Sequence, residues 1–185
     1  MGDGLSPNLH IPVPADALVV LIGAAGSGKS TFATREFPGQ AIVSSDQLRN
    51  ELAAADSRWR RRDVFEQLRE RVETRLAAGN LTVVDATNTD WMRRAELVRM
   101  ARRHGRAPLA IVFNLPSDVT LATNPARPGA VPASTVRRQV SAITRDIDRL
   151  DLEGFTTIVV FRSLDEAGRA DVEITGGPVS RASPP

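Results

Sequence analysis

The feature of the sequence that most constrains the fold is the glycine-rich segment Gly23-Ala24-Ala25-Gly26-Ser27-Gly28-Lys29-Ser30, which fits the pattern G-x-x-x-x-G-K-[ST]. It comes directly after the apolar run at 18–22, which is typical of a strand buried on both faces. Because glycine permits positive φ angles, such a loop can turn successive backbone N–H groups toward one anion at the amino end of a helix. The sequence therefore predicts a strand, a phosphate-binding loop and a helix that begins near Lys29.

The loop carries the only lysine among the 24 lysine and arginine residues of the chain. A compact ammonium therefore stands at one position in a sequence that otherwise uses planar guanidinium groups. We predict that Lys29 bridges the β- and γ-phosphates of ATP or GTP as a catalytic residue, and that the Ser30 hydroxyl is a ligand of Mg²⁺. The predicted nucleotide-binding residues are Ala25, Gly26, Ser27, Gly28, Lys29, Ser30 and Thr31.

Strand and helix patterns alternate along the rest of the chain, which favours a parallel sheet covered by helices on both faces. We predict an α/β, three-layer fold with a five-stranded parallel sheet. The domain would span 1–175, with a disordered tail at 176–185. Strands are predicted at 18–22, 41–43, 81–84, 109–113 and 156–161, and helices near 29, at 48–52, 64–76, 90–104, 117–123 and 134–150, and after the capping box of Ser163 and Glu166.

Length and composition agree with one cytoplasmic domain. A chain of 185 residues with 42% hydrophobic content can bury a core, and the lack of cysteine excludes disulfides and sulfur-based zinc sites. The first residues do not have the pattern of a signal peptide, and no stretch approaches the roughly 20 apolar residues of a membrane span. We therefore expect no membrane association and a cytoplasmic location; the oligomeric state is left open.

Two carboxylates follow predicted strands, where parallel sheets bind ligands. Asp85 ends the strand at 81–84 and is interpreted as a metal-organising residue, with the alternative that it caps the next helix. Asp46 follows the strand at 41–43, and Arg49 lies one helical turn further on the same side. From spacing alone, this pair fits an acceptor site as well as it fits a helix cap with a surface arginine.

Arginine is concentrated in two runs, 58–62 and 93–106. Either run is typical of a solvated helix face, and either can also contact an anionic polymer. Trp59 lies inside the first run and is a candidate for stacking on nucleobases, whereas Trp91 is expected to pack beneath its helix.

Several of these segments together resemble the kinase module of bacterial RNA end-healing and ligation enzymes, the polynucleotide 5′-kinase family. The resemblance extends over 11–175. Its segments are the run at 18–31, the Ser-Ser-Asp-x-x-Arg stretch at 44–49, Val-Val-Asp-Ala-Thr-Asn at 83–88, Val-Phe-Asn-Leu-Pro at 112–116 and Glu-Gly-Phe at 153–155.

The resemblance implies that Asp46 is the general base on a 5′-hydroxyl and that Arg49 grips the phosphate next to the acceptor nucleoside. It also implies a P-loop kinase fold with a helical lid near 117–135. In the family pattern, Asn88 contacts the acceptor and Arg127, in the lid loop at 124–132, is the transition-state arginine. The family lid usually carries two arginines, and this sequence lacks the first; Arg137 or Arg138 could fill the gap.

The resemblance thus implies a kinase that transfers the γ-phosphate of ATP or GTP to 5′-OH ends of RNA or DNA, with single-stranded ends as substrate. Family modules are commonly joined to phosphatase and nucleotidyltransferase domains, so separate phosphatase and ligase proteins are expected partners. Two alternatives remain open: a P-loop kinase acting on a sugar, antibiotic or nucleoside, and a nucleotide-dependent switch without an acceptor.

Overall fold

A sheet of five parallel strands forms the centre of the structure, a computed structural model that describes residues 9–55, 58, 60–126 and 130–176. Five of the described strands form this sheet, and β1 and β7 pair with each other outside it. The strands are β1 (His10–Pro14), β2 (Leu18–Gly23), β3 (Ile42–Ser44), β4 (Thr82–Asp85), β5 (Pro108–Phe113), β6 (Thr157–Phe161) and β7 (Asp171–Thr175). The order in the central sheet is β3-β4-β2-β5-β6, so the strand that leads into the glycine-rich loop is central. Its register pairs Leu21 with Asp85 and Gly23 with Phe113, which brings the strand ends to one edge.

Helices cover both faces of this sheet. The helices are α1 (Lys29–Glu36), α2 (Ser45–Ala55), α3 (Arg61–Ala77), α4 (Trp91–Arg103), α5 (Ser117–Thr123), α6 (Ala133–Asp146) and α7 (Leu164–Arg169), with 3-10 turns at Gly39–Ala41, Asn124–Ala126 and Ile147–Glu153. Alternate residues of β2 enter opposite cores, because successive strand side chains point to opposite faces. Val20 and Ile22 pack with apolar residues of α2, α3, α4 and α6, whereas Val19 and Leu21 pack against α1 and α7.

The predicted α/β fold with a five-stranded parallel sheet is confirmed. Most boundaries differ from the predicted ones by one or more residues, and two of the differences have a structural cause. The strand predicted at 41–43 is β3, one residue later, because the chain after Pro38 makes a 3-10 turn through Ala41. The helix predicted at 134–150 is α-helical only to Asp146 and continues as a 3-10 turn to Glu153. Gly154 closes that turn at φ 92°, a left-handed conformation that glycine adopts readily.

A second, two-stranded sheet was not predicted. In it β1 pairs in parallel with β7, from His10 opposite Asp171 to Pro14 opposite Thr175. Ile11 and Val13 are buried against the α1 side of the core, and the alternate residues point outward. Pro12 and Pro14 argue against a strand in the sequence, but proline is tolerated on a strand with one partner, where no ladder hydrogen bond is lost.

The lid predicted near 117–135 corresponds to α5, the following 3-10 turn and the start of α6. Residues 127–129 lie outside the described part, and so does the predicted tail beyond Gly176. The domain limits stay a prediction. Within the described ranges, no helix combines the length and apolar character needed to cross a membrane.

Candidate active site

Two cavities meet at Lys29 and Ser30. The β3–β4 cavity, about 500 Å³, lies at the carboxyl ends of those strands, and the α7 cavity, about 420 Å³, lies between the glycine-rich loop, α1 and α7. The residues that line the β3–β4 cavity include Lys29, Ser30, Asp46, Arg49, Phe65, Asp85, Asn88, Asp90, Arg93 and Gln139. Those of the α7 cavity include Gly26, Ser27, Gly28, Thr31, Arg35 and Leu164.

A larger cleft of about 920 Å³ between α3 and α4 is a weaker candidate. Its charged side chains pair with one another, as Arg69 with Glu96 at 3.0 Å and Arg103 with Glu73 at 2.9 Å. The cleft also lies away from the glycine-rich loop. We therefore place the active site at the two cavities that share Lys29.

The backbone of the glycine-rich loop is shaped for an anion, with Gly26 at φ 83° and Gly28 at φ 87°. Lys29 folds back over the loop, and its Nζ donates to the Ala24 carbonyl at 2.8 Å and lies 3.1 Å from Ser27 Oγ. Ser27 and Lys29 are both buried. The ammonium is therefore held beside the amides on which a phosphate chain would rest.

Close packing leaves no room for a side chain at Gly26. A Cβ there would lie 2.5 Å from the Thr120 carbonyl oxygen and 2.8 Å from Thr123 Oγ1, both on α5. The Thr123 hydroxyl also donates a hydrogen bond to the Gly26 carbonyl. Helix α5 thus packs closely against the loop, and only glycine satisfies both the positive φ and this contact.

Asp85 lies at the end of β4, buried, in the β3–β4 cavity with Lys29 and Ser30. It does not cap the following helix, because the cap is Asp90, whose Oδ1 accepts from the Met92 amide at 3.0 Å. A hydroxyl and a carboxylate suit Mg²⁺, which binds one or two protein oxygens and completes its shell with water and phosphate. Among the described residues no three His, Asp or Glu side chains converge as a metal site. A metal here would therefore depend on the nucleotide's phosphates.

Asp46 lies in the first turn of α2 and Arg49 about one turn later, and both line the same cavity. Arg49 Nη1 donates to Asp46 Oδ1 at 2.5 Å, so the two side chains form a pair. The structure thus brings a carboxylate and a guanidinium to the cavity that contains Lys29, Ser30 and Asp85. Their predicted roles as general base and acceptor-phosphate ligand stay predictions.

Asn88 has the one positive φ among described non-glycine residues, 47°, in the segment that joins β4 to α4. Its Nδ2 donates to the Leu21 carbonyl at 2.7 Å, and the Thr87 carbonyl accepts from the Gly23 amide at 3.0 Å. The Asn88 amide nitrogen therefore holds this segment against the end of β2. Its predicted contact with an acceptor stays a prediction.

The Asn88 carbonyl is held by Arg94, whose side chain is only 1% exposed. Arg94 Nη1 donates to that carbonyl at 2.9 Å, and its other nitrogens contact Glu153 at 2.5 and 2.8 Å and Asp146 at 3.2 Å. Burial alone would lower the pKa of Arg94, but the hydrogen bonds that it donates to Glu153 and Asp146, and the charges of these carboxylates, outweigh burial and raise the pKa above the ordinary arginine value. Arg94 therefore stays charged and pins the β4–α4 segment to the end of α6.

The interpretation of the run at 93–106 as a solvated or polymer-facing surface is wrong for Arg94. Others in the run also have structural partners: Arg102 donates to the Gly154 carbonyl at 2.7 Å, and Arg106 pairs with Asp16 at 2.5 Å. Trp91 was expected to pack beneath its helix and is instead 57% exposed, because it stands at the first position of α4, beyond the core. Trp59 lies outside the described residues.

Asn124 is buried and joins the two ends of the predicted lid loop. Its Nδ2 donates to the Val131 carbonyl at 2.8 Å, and its Oδ1 accepts from the Val131 amide at 3.3 Å. Arg127, the predicted transition-state arginine, falls between these two residues and outside the described part. Arg137 and Arg138 are exposed and line neither cavity, so the described structure gives no support to either as the second lid arginine.

Gln139 is the site residue that sequence reasoning missed. Its Oε1 accepts from the Ala25 amide at 2.9 Å and so ties α6 to the glycine-rich loop. It lies three residues after buried Val136 and four before buried Ile143, on the inward face of α6. A polar residue within that apolar stripe was the available signal.

Comparisons with known proteins agree with this geometry. The sequence model of the AAA domain family matches residues 18–150. No curated protein matches the sequence significantly. Among solved structures, a chain of the Pnkp1/Rnl/Hen1 RNA repair complex is 20% identical at a TM-score of 0.60, over 80% of this chain and 48% of its own.

Two further solved structures share the fold. A chain of the AvrRxo1-ORF1:AvrRxo1-ORF2 structure with sulphate ions is 17% identical at a TM-score of 0.62, over 82% of this chain and 55% of its own. A gluconokinase from Sinorhizobium meliloti 1021 is 19% identical at a TM-score of 0.52, over 83% of this chain and 90% of its own. The chain thus spans about half the length of the first two of these proteins. At these identities the likeness shows the P-loop kinase fold.

Proposed function

The chain belongs to the AAA domain family, and we propose that it is a polynucleotide 5′-hydroxyl kinase that transfers the γ-phosphate of ATP or GTP to 5′-OH ends of RNA or DNA. The observation that carries the proposal is the Asp46–Arg49 pair, which lines one cavity of about 500 Å³ with Lys29, Ser30 and Asp85. A carboxylate for the hydroxyl proton and a cation for an adjacent phosphate thus face the lysine that would hold the donor. The fold shared with the RNA repair chain also supports it.

In the proposed reaction, the 5′-hydroxyl gives its proton to Asp46 as its oxygen bonds to the γ-phosphorus. The bond from that phosphorus to the β–γ bridging oxygen breaks, and the nucleoside diphosphate leaves with the bridging oxygen. Lys29 and the amides of the loop stabilise charge on the phosphates, and Arg49 fixes the phosphate on the 3′ side of the acceptor nucleoside. We propose that Arg127 stabilises the transferring group.

Ser30 and Asp85 would hold Mg²⁺, which neutralises phosphate charge when bound. The α7 cavity, on the other side of Lys29, would take the nucleoside of the donor. If the reaction belongs to strand repair, the phosphatase and ligase steps would come from other proteins, and the substrate would be a single-stranded 5′ end.

A second candidate is a small-molecule kinase. It is supported by the fold shared with the gluconokinase, of which this chain covers 90%, and by a cavity size that suits a small ligand. Arg49 discriminates between the two, because a sugar acceptor has no phosphate for it to bind.

The test incubates the protein with Mg²⁺, γ-labelled ATP and either a 5′-hydroxyl oligonucleotide or gluconate. We expect label on the oligonucleotide alone. Asp46→Asn should lower transfer by about 10²- to 10⁴-fold with nucleotide affinity unchanged, because the proton acceptor is lost. Arg49→Gln should raise the KM for the oligonucleotide, and Lys29→Ala should abolish transfer.

Label on gluconate and none on the oligonucleotide would establish the second candidate. Full activity of Asp46→Asn on the oligonucleotide would contradict the assigned base.

A further inference from the structure

A second arginine on the acceptor side has no part in the proposed reaction. Arg93 on α4 lines the β3–β4 cavity together with Asp46 and Arg49. Its guanidinium carbon lies 3.2 Å from the centroid of the Phe65 ring on α3, and its Nε lies 3.6 Å from Asp90 Oδ2. The guanidinium is therefore already held in place at the cavity wall.

The neighbouring residues make this position rigid. Arg94, the next residue, is buried and anchored to Glu153, Asp146 and the Asn88 carbonyl. Asp90 begins the helix as its cap. Because α4 is fixed on both sides of Arg93 and its guanidinium lies against an aromatic ring, little conformational entropy would be lost when it bonds to a ligand.

The exposure and chemistry of Arg93 indicate an anionic ligand. Its side chain is 45% exposed, whereas Arg94 is buried and Arg102 and Arg103 are bonded to a carbonyl and to Glu73 away from the cavity. The ion pair between Arg93 and Asp90 is exposed and 3.6 Å long, and such pairs contribute little free energy. Asp90 would therefore compete only weakly with a ligand for the Arg93 guanidinium. A planar guanidinium is suited to phosphate, to which it can donate two hydrogen bonds.

We infer that Arg93, supported by Phe65, binds a second phosphate of the acceptor strand, one nucleotide beyond the phosphate assigned to Arg49. The inference rests on the proposed function, and it adds that the acceptor site spans at least two successive phosphates. The site would then favour strands over a nucleoside 3′-monophosphate, which carries only the first phosphate.

Equilibrium binding tests this separately from catalysis. Two acceptors are titrated into the protein, a 5′-hydroxyl hexanucleotide and a nucleoside 3′-monophosphate. Each titration is repeated at salt concentrations from about 50 to 200 mM, over which phosphate contacts dominate the change in affinity. Arg93→Gln should weaken hexanucleotide binding about tenfold at the lower salt, as loss of a charge-assisted contact does. It should also reduce the slope of log affinity against log salt by about 0.7, the value of one phosphate contact on a single strand.

Three further variants sharpen the measurement. Arg99→Gln removes the same charge from the same helix at an exposed position that lines the α3–α4 cleft, and it should leave the binding of both acceptors unchanged. Arg93→Lys should restore part of the salt slope, because it keeps the charge without the planar contact. Phe65→Leu should weaken hexanucleotide binding less than Arg93→Gln does.

The inference is overturned if Arg93→Gln and Arg99→Gln have the same salt slope, or if Arg93→Gln weakens both acceptors equally. The proposed function fails by a different result: the unmodified protein then transfers no label to either acceptor, whatever its binding shows.

Discussion

The two sides of Lys29 are built in different ways. On the donor side, one contiguous segment, 23–31, supplies backbone amides, glycines and small side chains. On the acceptor side, charged side chains come from α2, α4 and the end of β4, and the β4–α4 segment is held by Arg94 against Asp146 and Glu153. The donor side is therefore specified locally, whereas the acceptor side exists only when distant segments have packed.

The largest effect on this contrast is expected from Arg94→Met. It leaves the largely buried Glu153 without its cation and Asp146 with only the exposed Arg145, and breaking a buried pair costs about 3–5 kcal/mol. The free energy of unfolding from urea titration measures the loss. Arg103→Met, which breaks an exposed pair with Glu73, should cost about 1 kcal/mol or less.

At urea concentrations below its unfolding midpoint, Arg94→Met should lose phosphate transfer more than ATP affinity. Arg94 holds the β4–α4 segment directly, whereas it reaches the glycine-rich loop only through Thr87 and Asn88. Equal loss of nucleotide affinity and transfer would show that the two sides are one unit.

Gly26→Ala tests the donor side. A Cβ would clash with the Thr120 carbonyl at 2.5 Å and would also occupy a left-handed φ, so we expect a loss of about 2–4 kcal/mol shared between stability and nucleotide affinity. Calorimetric titration with ATP and thermal unfolding measure the two parts. Gly39→Ala is the matched control, because nothing lies within 4 Å of its added Cβ.

Gln139→Leu tests the point at which the two sides touch. It removes the acceptor for the Ala25 amide, and loss of one such hydrogen bond costs about 1 kcal/mol, or roughly fivefold in nucleotide affinity. Arg138→Leu, on the exposed face of α6, should change neither affinity nor stability. Unaltered ATP affinity of Gln139→Leu would show that the loop binds nucleotide without support from α6.

The smallest effect concerns His10, remote from both cavities. Hydrogen bonds to Glu173 and then Asp171 raise its pKa above the ordinary value near 6.5. Because the raised pKa belongs to the folded state, the added stability is present below about pH 6.5 and is lost as the pH rises through the folded-state pKa. His10→Gln should remove this pH dependence of the unfolding temperature and leave ATP affinity unchanged; a decline that persists in the variant would assign it to other groups.

The same contrast explains what could be predicted from the sequence. The glycine-rich loop and the five-stranded sheet follow from local patterns, because each strand is a short apolar run and the loop is one motif. Asp46 and Asp85 follow strands, and parallel strands gather their carboxyl ends at one edge. Arg49 was predictable from its spacing of one helical turn after Asp46, and its role from the family resemblance.

Long-range contacts were not predictable in this way. Arg94 is one arginine among six in its run, and only its contacts with Glu153 and Asp146, more than 50 residues away, distinguish it. The β1–β7 pair was hidden by two prolines and by the separation of its strands. The contact of Gln139 with the Ala25 amide was hidden because the two residues are 114 positions apart.

The pairing of β1 with β7 also affects how the protein is made. His10 and Asp171 are 161 residues apart, so β1 leaves the ribosome long before its partner has been translated. At about 5–20 residues per second, β1 would wait roughly ten to thirty seconds with an open edge. Pro12 and Pro14 lack N–H groups on the edge that faces away from β7, because the Ala15 amide on the other edge donates to Thr175. The same residues that obscure the strand in the sequence therefore leave a foreign strand only the edge that β7 later takes.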